Sequence, residues 1–373
     1  MFYNLLAVSS LVAAVSACTG TINSLSDVSA AVKCTTVNIN GFTVPAGEGL
    51  ILSLVTGTTV NLNGNIAFGN KSWAGPLFTI SGTNIIFNGN GNSFDGGGPF
   101  YWDGQGSNGG TTKPRPMMKI KISGKFENVK VVNSPAQTFS VSNPAALTIS
   151  GITIDNSQGD LPNSMSGGLP AGHNTDGFDA STTDLTISGW HVTVPHTQSL
   201  ILSTNRYTVC ASDDCLAINK GSNIAFTGNS CFGGHGISIG SIASGVTVSN
   251  ITISNNNIVN NDQAIRIKMD ATSTGSSVSG ITYSGNKGSG LNKFGVLIDQ
   301  SYPATLGTPG NGVELSAVNF VSGNVLSVNS GADRVAVNCG PSSCSGTWNW
   351  AGLTVTGGKA GPVNYKGISG GSF

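Results

Sequence analysis

The sequence is dominated by short apolar runs that alternate with polar residues and end at Gly, Asn or Ser. They start after Cys34 and recur at intervals of roughly 20 to 30 residues along the rest of the chain. Such alternation is typical of β-strands, and the Gly, Asn and Ser residues mark turns between them. Examples are TVNLNGNIAFG, TNIIFNGNGNSF, ALTISGITIDNS, SNIAFTGNSCF and GVTVSNITISNNNIVNN. Helical periodicity is nearly absent, so the pattern predicts an all-β protein.

The steady repetition favours one all-β fold, the single-stranded right-handed parallel β-helix, in which each coil stacks its strands on the coil before it. Inward Val, Ile and Leu side chains would then form a continuous core. An antiparallel sandwich is the alternative, but the sequence lacks tight two-residue hairpin turns. Residues 21–33, with a cap at Ser24-Leu25-Ser26-Asp27, predict a short helix that covers the N-terminal end.

The first residues predict secretion. Residues 1–17 contain an apolar run and end in the small residues Val15-Ser16-Ala17, which is typical of a signal peptide cleaved before Cys18. Residues 18–373 contain no linker and no run of membrane-spanning length, so we predict a single domain. The 17 basic and 17 acidic residues balance. Zero net charge gives no electrostatic reason to expect nucleic acid or an anionic membrane as a partner. From the predicted signal peptide we expect an extracellular protein.

Seven cysteines in an exported chain predict disulfides with one cysteine left over. The natural local pairs are Cys18 with Cys34, Cys215 with Cys231, and Cys339 with Cys344. This assignment leaves Cys210 unpaired. Sequons at Asn70 and Asn250 are candidate glycosylation sites.

Two adjacent carboxylates, Asp213 and Asp214, are the first candidates for chemistry. Like charges placed together raise each other's pKa, which is costly in an ordinary turn but useful for acid–base catalysis. Arg266 and Lys268 alternate around Ile267, so a strand would place both cations on one face. Each motif alone has an ordinary explanation, as a polar turn or a solvated strand face. Together they describe a site that binds a carboxylated substrate and hydrolyses it.

Five motifs follow one another in the chain: Asn174-Thr175-Asp176-Gly177-Phe178-Asp179, Asp213-Asp214-Cys215, Gly234-His235-Gly236, Arg266-Ile267-Lys268 and Tyr302. This ordered set resembles the signature of the polygalacturonases, pectin-cleaving glycoside hydrolases with a right-handed parallel β-helix. Supporting phrases are YWDG at 101–104, NSPAQ at 133–137 and AGH at 171–173. The likeness covers essentially the whole mature chain. Its length and lack of large extra loops resemble the endo-acting members.

The resemblance implies inverting hydrolysis of α-1,4-linked galacturonan by an acid and a base on opposite faces of the sugar. The catalytic residues would be Asp213 as the general acid, Asp176 and Asp214 to hold and activate water, and His235 to tune the acid. The substrate would be bound by Arg266, Lys268, Tyr302 and Asn174. The resemblance also implies polygalacturonate or pectin as substrate, no cofactor or metal, a monomer, and plant inhibitor proteins as partners.

Other functions stay open beside this one. An exo-acting pectin hydrolase would share the motifs, whereas the Arg266 and Lys268 pair argues against a rhamnogalacturonan hydrolase. A pectate lyase would need a calcium cluster and an arginine base, which these motifs do not supply. A β-helix that binds pectin without cutting it is the alternative outside enzymes.

The chain departs from the family pattern before Asp213. Asp176 and Asp213 are 37 residues apart, and Ala211-Ser212 stands where the family usually has Asn-Gln. The surplus falls within residues 193–212. Three interpretations of this surplus compete. It is a loop at a coil edge, a regulatory or substrate-shaping insertion, or a translated intron. The odd Cys210 inside it favours the intron. An insertion here could displace the acid and inactivate the protein.

Overall fold

The protein folds as a right-handed parallel β-helix in a computed structural model that describes residues 17–189, 208–210 and 213–373. Every strand pairing within these residues is parallel, so the predicted fold class is confirmed and the antiparallel sandwich is excluded. The predicted signal peptide, residues 1–17, lies outside the described residues apart from Ala17. In the described part of the chain, no helix has the length and apolar character needed to cross a membrane.

The described residues contain thirty strands. The strands of the first half are β1 Thr19–Ile22, β2 Thr36–Ile39, β3 Phe42–Val44, β4 Leu50–Ser53, β5 Thr59–Leu62, β6 Ile66–Phe68, β7 Phe78–Asn88, β8 Ser93–Asp95, β9 Met118–Glu127, β10 Lys130–Val132, β11 Phe139–Val141, β12 Leu147–Ser150, β13 Thr153–Asp155 and β14 Phe178–Ser188.

The strands of the second half are β15 Thr208–Cys210, β16 Leu216–Thr227, β17 Ser230–Phe232, β18 Ile237–Ile242, β19 Thr247–Ser254, β20 Asn257–Val259, β21 Gln263–Asp270, β22 Ser276–Ser284, β23 Lys287–Leu291, β24 Phe294–Tyr302, β25 Val313–Ser322, β26 Asn324–Asn338, β27 Cys344–Ser345, β28 Trp348–Asn349, β29 Leu353–Lys359 and β30 Ile368–Ser369. The short helices are the α-helix α1 Val28–Ala31 and three 3-10 turns, Leu25–Asp27, Gly98–Phe100 and Ser157–Gly159.

The strands stack into three faces of the coil. The first face contains β1, β2, β5, β12, β19, β22, β25 and the C-terminal parts of β7, β9, β14 and β16. The second contains β3, β6, β8, β10, β13, β15, β17, β20, β23, the N-terminal part of β26 and β29. The third contains β4, β11, β18, β21, β24, the N-terminal parts of β7, β9, β14 and β16 and the C-terminal part of β26.

The alternating runs place their apolar side chains inside the coil. In β21, Ile265 and Ile267 are buried, whereas Arg266 and Lys268 between and beyond them face outward, as the sequence predicts. Burying one such side chain contributes about 1.5–3 kcal/mol to the free energy of folding. The same inward position in successive coils stacks equivalent side chains on one another, which produces one continuous core.

A column of buried asparagines holds the corner between the first and second faces. This asparagine ladder consists of Asn229, Asn256, Asn286 and Asn324. The Asn256 side-chain amide donates to Oδ1 of Asn286 at 2.9 Å, and Asn286 donates in turn to Asn324 at 2.9 Å. Each amide also donates to a backbone carbonyl of the coil before it. The ladder therefore satisfies polar groups at a corner where strands cannot.

The N-terminal end is covered by a shorter helix than residues 21–33 predict. The carboxylate of Asp27 accepts the backbone N–H groups of Asn23 and Ser24 at 2.9 and 3.0 Å, which starts the turn. The helix begins later than predicted because residues 19–22 pair with β2 as a strand. Ala31 packs so closely on Gly20 that a Cβ at Gly20 would lie 2.5 Å from the Ala31 Cα.

All three predicted disulfides form, between Cys18 and Cys34, Cys215 and Cys231, and Cys339 and Cys344. The predicted insertion at 193–212 lies outside the described residues except for 208–210. These three residues form β15, which continues the second face between β13 and β17. Asn70 and Asn250 are both exposed, and the amide of Asn250 donates to Oδ1 of Asn223 at 2.8 Å. Whether either asparagine carries a glycan stays a prediction.

Candidate active site

The third face carries the predicted motifs on consecutive coils. Phe178 of β14 pairs with Leu216 of β16, which pairs with Ile237 of β18. Asp176 and Asp214 each lie two residues before these paired positions, so the two carboxylates occupy equivalent places one coil apart. Because neighbouring strands are only about 4.8 Å apart, motifs that are distant in sequence become neighbours in space.

A cavity of about 340 Å³ opens on the third face at these coils. Its lining includes the predicted residues Asn174, Asp176, Asp213, His235, Arg266, Lys268 and Tyr302. Asp214 is not part of the lining, and its side chain is 0 % exposed. The structure thus brings the predicted catalytic and substrate-binding residues together, with Asp214 fully buried beside the cavity.

Asp213 is held by hydrogen bonds on both carboxyl oxygens. Its Oδ1 lies 2.7 Å from Nδ1 of His235 and accepts the backbone N–H of Asp214 at 2.8 Å. Its Oδ2 accepts the side-chain amide of Asn174 at 2.9 Å. The Oδ1 of Asn174 accepts both the backbone N–H and the hydroxyl of Ser107 at 3.0 Å. Asn174 therefore contacts the carboxylate and fixes its orientation.

Asp214 binds the two predicted substrate-binding cations. Its Oδ1 accepts from Nη2 of Arg266 at 2.6 Å and from the hydroxyl of Ser238 at 2.7 Å, and its Oδ2 accepts from Nζ of Lys268 at 2.7 Å. Nε of Arg266 donates to the Ser238 hydroxyl at 3.0 Å. One carboxylate between two cations leaves a net charge of +1. Lys268 also lies 5.4 Å from the ring centre of Tyr302.

His235 sits between two carboxylates. Its Nε2 is 3.6 Å from Oδ2 of Asp262, which binds Nζ of Lys293 at 2.7 Å. The glycine after the histidine has a structural cause: Gly236 has a φ of +78°, and a Cβ there would lie 2.0 Å from the carbonyl oxygen of Gln263. Gln263 also donates its side-chain amide to the His235 carbonyl at 2.7 Å. The glycine permits the close approach that aims the imidazole at Asp213.

In the pair of Asp213 and His235, the imidazole holds the proton and Asp213 stays ionised. Burial alone would raise the pKa of Asp213, but the hydrogen bond and charge of His235, with Lys268 and Arg266, lower it below its usual value. Burial alone would lower the pKa of His235, but the hydrogen bond to Asp213 and the charges of Asp213 and Asp214 raise it. In the free protein the proton therefore resides on the imidazole.

Two further carboxyls of the site, Asp176 and Asp179, have a raised pKa. Burial and the charges of Asp213, Asp179 and Asp214 raise the pKa of Asp176 well above its ordinary value. Burial and the charges of Asp214 and Asp213 raise the pKa of Asp179 to about 7. Oδ1 of Asp176 is buried and makes no hydrogen bond within the described residues. We call Asp176, Asp179, Asp213 and Asp214 the carboxylate cluster.

Comparison with known proteins identifies the family. Residues 34–366 match the family described as glycosyl hydrolases family 28. The chain belongs to this family. Its endo-polygalacturonase from Sclerotinia sclerotiorum is 42% identical over 337 residues, which cover 88% of this chain and 80% of that protein. Endopolygalacturonase B of Emericella nidulans is 41% identical over 354 residues, covering 92% of this chain and 88% of that protein.

A solved family 28 structure is also similar. It is endopolygalacturonase I from Stereum purpureum complexed with two galacturonate, which superposes with a TM-score of 0.84 and is 46% identical. The similarity covers 95% of this chain and 99% of that one. The resemblance drawn from the five sequence motifs is therefore confirmed at the level of the family.

That this chain needs no metal ion stays a prediction. Donor atoms of Asp213, Asp214 and His235 lie within 4.8 Å of one another, a spacing that could hold an ion. However, both oxygens of Asp214 already bind Arg266 and Lys268. A metal ion would have to displace these cations, so the donor set fits a metal poorly.

Sequence reasoning assigned no role to several residues of the cavity. The additional residues that line it include Asn108, Gln137, His173, Asp179 and Asn219. Asp179 is the most significant of these because it belongs to the carboxylate cluster and its side chain bonds to Asn219. The sequence contained a usable signal for it: Asp179 lies between the buried Phe178 and Ala180, so it must face outward on the same strand face as the predicted site.

Proposed function

We propose that this family 28 protein is a secreted endo-polygalacturonase that hydrolyses α-1,4-galacturonosyl linkages with inversion. One observation carries the proposal: the cavity combines a net positive Arg266, Lys268 and Asp214 group with the hydrogen-bonded carboxyl of Asp213 and the buried carboxyl of Asp176. A carboxylated sugar would meet cations and an acid–base set in the same place. The Stereum purpureum protein, which is similar over nearly its whole length, was solved with galacturonate.

Arg266 and Lys268 bind the substrate carboxylate next to the cleaved bond in this proposal. Both side chains keep hydrogen-bond donors for the substrate carboxylate. Asp214 and Ser238 engage only Nη2 and Nε of Arg266, and Asp214 engages one proton of Lys268. An Arg fork can bind a carboxylate with two parallel hydrogen bonds. The side chains are 13% and 11% exposed, so the ion pair with substrate forms in a partly desolvated site, where it is stronger than at the surface.

Asp213 acts as the general acid, and substrate binding supplies the protonation that it needs. In the free protein its pKa is held down in part by the charges of Lys268 and Arg266. A galacturonate carboxylate on these cations neutralises them, and the bound sugar displaces water from the cavity, so the pKa of Asp213 rises. The proton on His235 at 2.7 Å can then move to Asp213 and on to the leaving oxygen.

Asp176 activates the attacking water as the base. Its pKa is raised partly by the charge of Asp213, and this contribution disappears once Asp213 is protonated. Protonation of Asp213 therefore favours release of the Asp176 proton to water, which brings acid and base toward the pair of states that an inverting hydrolase needs. Asp214, which was predicted to share the water, is fully buried, and we propose that its main role is to anchor Arg266 and Lys268.

Two further residues of the site position the acid and the sugar. Asn174 was predicted to bind substrate, but its amide contacts Asp213 and Ser107, and we propose that it positions the acid. Tyr302 lines the cavity beside Lys268 and contacts the sugar at the cleavage site.

The test is a reducing-end assay on demethylated polygalacturonate with viscosity followed in parallel. An endo-acting enzyme lowers the viscosity much faster than it releases ends, whereas an exo-acting hydrolase releases ends with little change in viscosity. Proton NMR of the first product distinguishes inversion from retention. Release of no ends by a folded protein would reject the hydrolase.

A second form of the chain separates the insertion from the catalytic site. It lacks the surplus in residues 193–212 and has Asn-Gln before Asp213. If both forms cut the polymer, the insertion is a tolerated loop. If only the shortened form cuts it, the segment inactivates the full chain, and pectin binding without cleavage becomes the function to test.

A further inference from the structure

One loop beside the active site is enclosed by the three short sequences that support the family resemblance. The loop comprises residues 103–113, which precede β9, and we call it the 103–113 loop. The three sequences are YWDG at 101–104, NSPAQ at 133–137 and AGH at 171–173. Nε1 of Trp102 donates to the carbonyl oxygen of Ser134 at 3.0 Å. The N–H of Gly104 donates to the carbonyl oxygen of Ala171 at 2.9 Å. These contacts fix the start of the loop on the coils.

A buried ion pair joins the two ends of the 103–113 loop. Nζ of Lys113 lies 2.7 Å from Oδ1 of Asp103, and these side chains are only 2% and 7% exposed. The Asp103 carboxylate also accepts the backbone N–H groups of Gln105 at 3.0 Å and Thr111 at 2.8 Å. Removing either charge would leave the other buried without its partner, so the pair holds the loop closed. Neither Asp103 nor Lys113 lines the catalytic cavity.

The tip of the 103–113 loop decides which end of the Asn174 amide faces the acid. The backbone N–H and the hydroxyl of Ser107 both donate to Oδ1 of Asn174 at 3.0 Å. A backbone N–H can only donate, so Oδ1 must face Ser107, and Nδ2 is left to donate to Oδ2 of Asp213 at 2.9 Å. A reversed amide would set an oxygen against the Asp213 carboxylate, where two acceptors cannot bond.

The loop packs on Asn174 with no space to spare. Gly106 has a φ of +56°, and a Cβ there would lie 2.6 Å from Oδ1 of Asn174. The side-chain amide of Gln137 lies 3.4 Å from the Ser107 hydroxyl. Ser107 itself is not among the residues that line the catalytic cavity. It therefore contacts the acid through Asn174 and not the space that a substrate would occupy.

We propose that Ser107 is a positioning residue that orients the Asn174 amide on the carboxyl of Asp213. The Asp103 and Lys113 ion pair keeps the loop that carries Ser107 in place. The proposal rests on the proposed function, because the orientation of Asp213 matters to the rate only if Asp213 transfers the proton. The chain of contacts ends at the reacting carboxyl and not at the sugar. A change in it should therefore lower kcat and leave KM nearly unaltered.

The first experiment is a double-mutant cycle between Ser107 and Asn174, assayed on polygalacturonate. Ser107→Ala removes one of the two donors to Oδ1 and should lower kcat about tenfold, with KM within about twofold of the parent. Ser107→Thr keeps the hydroxyl and should restore most of the rate. In an Asn174→Ala background, Ser107→Ala should cause no further loss, because the two residues act as one unit. The control is Ser254→Ala, a half-buried serine on the first face whose hydroxyl donates to Thr227 at 3.0 Å.

Three results would overturn the positioning role. The first is a raised KM with kcat unchanged, which would make Ser107 a substrate contact. The second is a tenfold loss that persists in the Asn174→Ala background. The third is an equal loss in Ser254→Ala, which would show that any buried hydroxyl has the same effect on the rate.

The second experiment reads the orientation of Asn174 without using activity. Crystal structures of the parent, Ser107→Ala and Lys113→Met are compared, and kcat is expressed per folded molecule. The contact between Nδ2 of Asn174 and Oδ2 of Asp213 should lengthen in Ser107→Ala and be lost in Lys113→Met, whose kcat should fall at least as far. An unchanged contact in Ser107→Ala would overturn the role of Ser107, and an unchanged contact in Lys113→Met that of the ion pair.

The two experiments separate this inference from the proposed function. A parent that cuts nothing would reject the proposed function, and the crystal structures would still decide whether the loop orients Asn174. Ser107→Ala alters a single half-buried hydroxyl, so it decides the inference even if Lys113→Met does not fold.

Discussion

Two corners of the same coil stack polar residues with opposite consequences. At the corner between the first and second faces, the asparagine ladder places an amide above an amide, and each of the first three rungs donates to the next. At the corner that precedes the third face, Asp176 lies one coil from Asp214, where carboxyl faces carboxyl. An amide is its own complement, whereas a carboxylate repels its copy.

The contrast between the two corners shows where a repeat fold can place catalytic residues. A coil that repeats a self-complementary side chain gains stability with each repeat. A coil that repeats a carboxylate accumulates charge that burial cannot relieve, and this raises the pKa of Asp176 and of Asp179. Cations from later coils form direct ion pairs with only one member of the cluster, Asp214, whereas Asp213 is paired with His235. Asp176 has no ion pair in the described part of the chain, and it is the carboxyl proposed as the base.

The largest expected effect comes from Asp213→Asn. Loss of the acid should lower kcat on polygalacturonate about a thousandfold, because a positioned general acid contributes about 10²- to 10⁴-fold to rate. The matched control is Asp184→Asn, an exposed aspartate whose Oδ1 accepts from Asn223. The control should keep its full rate. If Asp213→Asn retains a tenth of the activity or more, Asp213 is not the acid.

The next effect, on stability, comes from the asparagine ladder. Asn256→Ala leaves the backbone N–H and side-chain amide of Asn229 without their acceptor in a buried corner. The free energy of unfolding should fall by about 2–4 kcal/mol, with kcat per folded molecule unchanged. Asn223→Gly is the control, because Asn223 is exposed and has a φ of +56° that glycine tolerates. An equal loss in the control would show that burial of the ladder does not matter.

A smaller effect is expected in the pH dependence of kcat/KM. The Asp213 and His235 pair keeps one proton up to the raised pKa of His235, so activity should decline only as the pH rises through a value above 6.5. In His235→Gln no imidazole supplies a proton, so Asp213 must itself hold the proton that it transfers. The alkaline limb should then move to lower pH, and the maximal rate should drop about tenfold. An unchanged alkaline limb would exclude His235 as the proton source.

The sequence predicted the fold because alternation and turn residues are local signals. It also predicted the outward pairing of Arg266 and Lys268, which needs only strand geometry. The contact of these cations with Asp214 was not predictable, since it depends on the register between coils that are more than 50 residues apart in sequence. The asparagine ladder was missed for a related reason. In sequence, the buried Asn256 is indistinguishable from the exposed Asn255 before it and the half-buried Asn257 after it.

The most direct test of the account is Asp176→Asn, measured for both stability and activity. In the folded protein the pKa of Asp176 is raised, so its contribution to stability is fully present below the ordinary value of 3.8 and is lost as the pH rises through the folded pKa. The variant cannot acquire this charge. At neutral pH it should therefore be more stable than the parent, by about 1 kcal/mol or more, and at pH 3 the two should unfold alike.

The same variant lacks the proposed base, so its kcat on polygalacturonate should fall at least a hundredfold. Higher stability at neutral pH together with lost activity is the result that the account predicts. A variant that is less stable than the parent at neutral pH, or that keeps its activity, would contradict the claim that the repelling carboxyls are the catalytic ones.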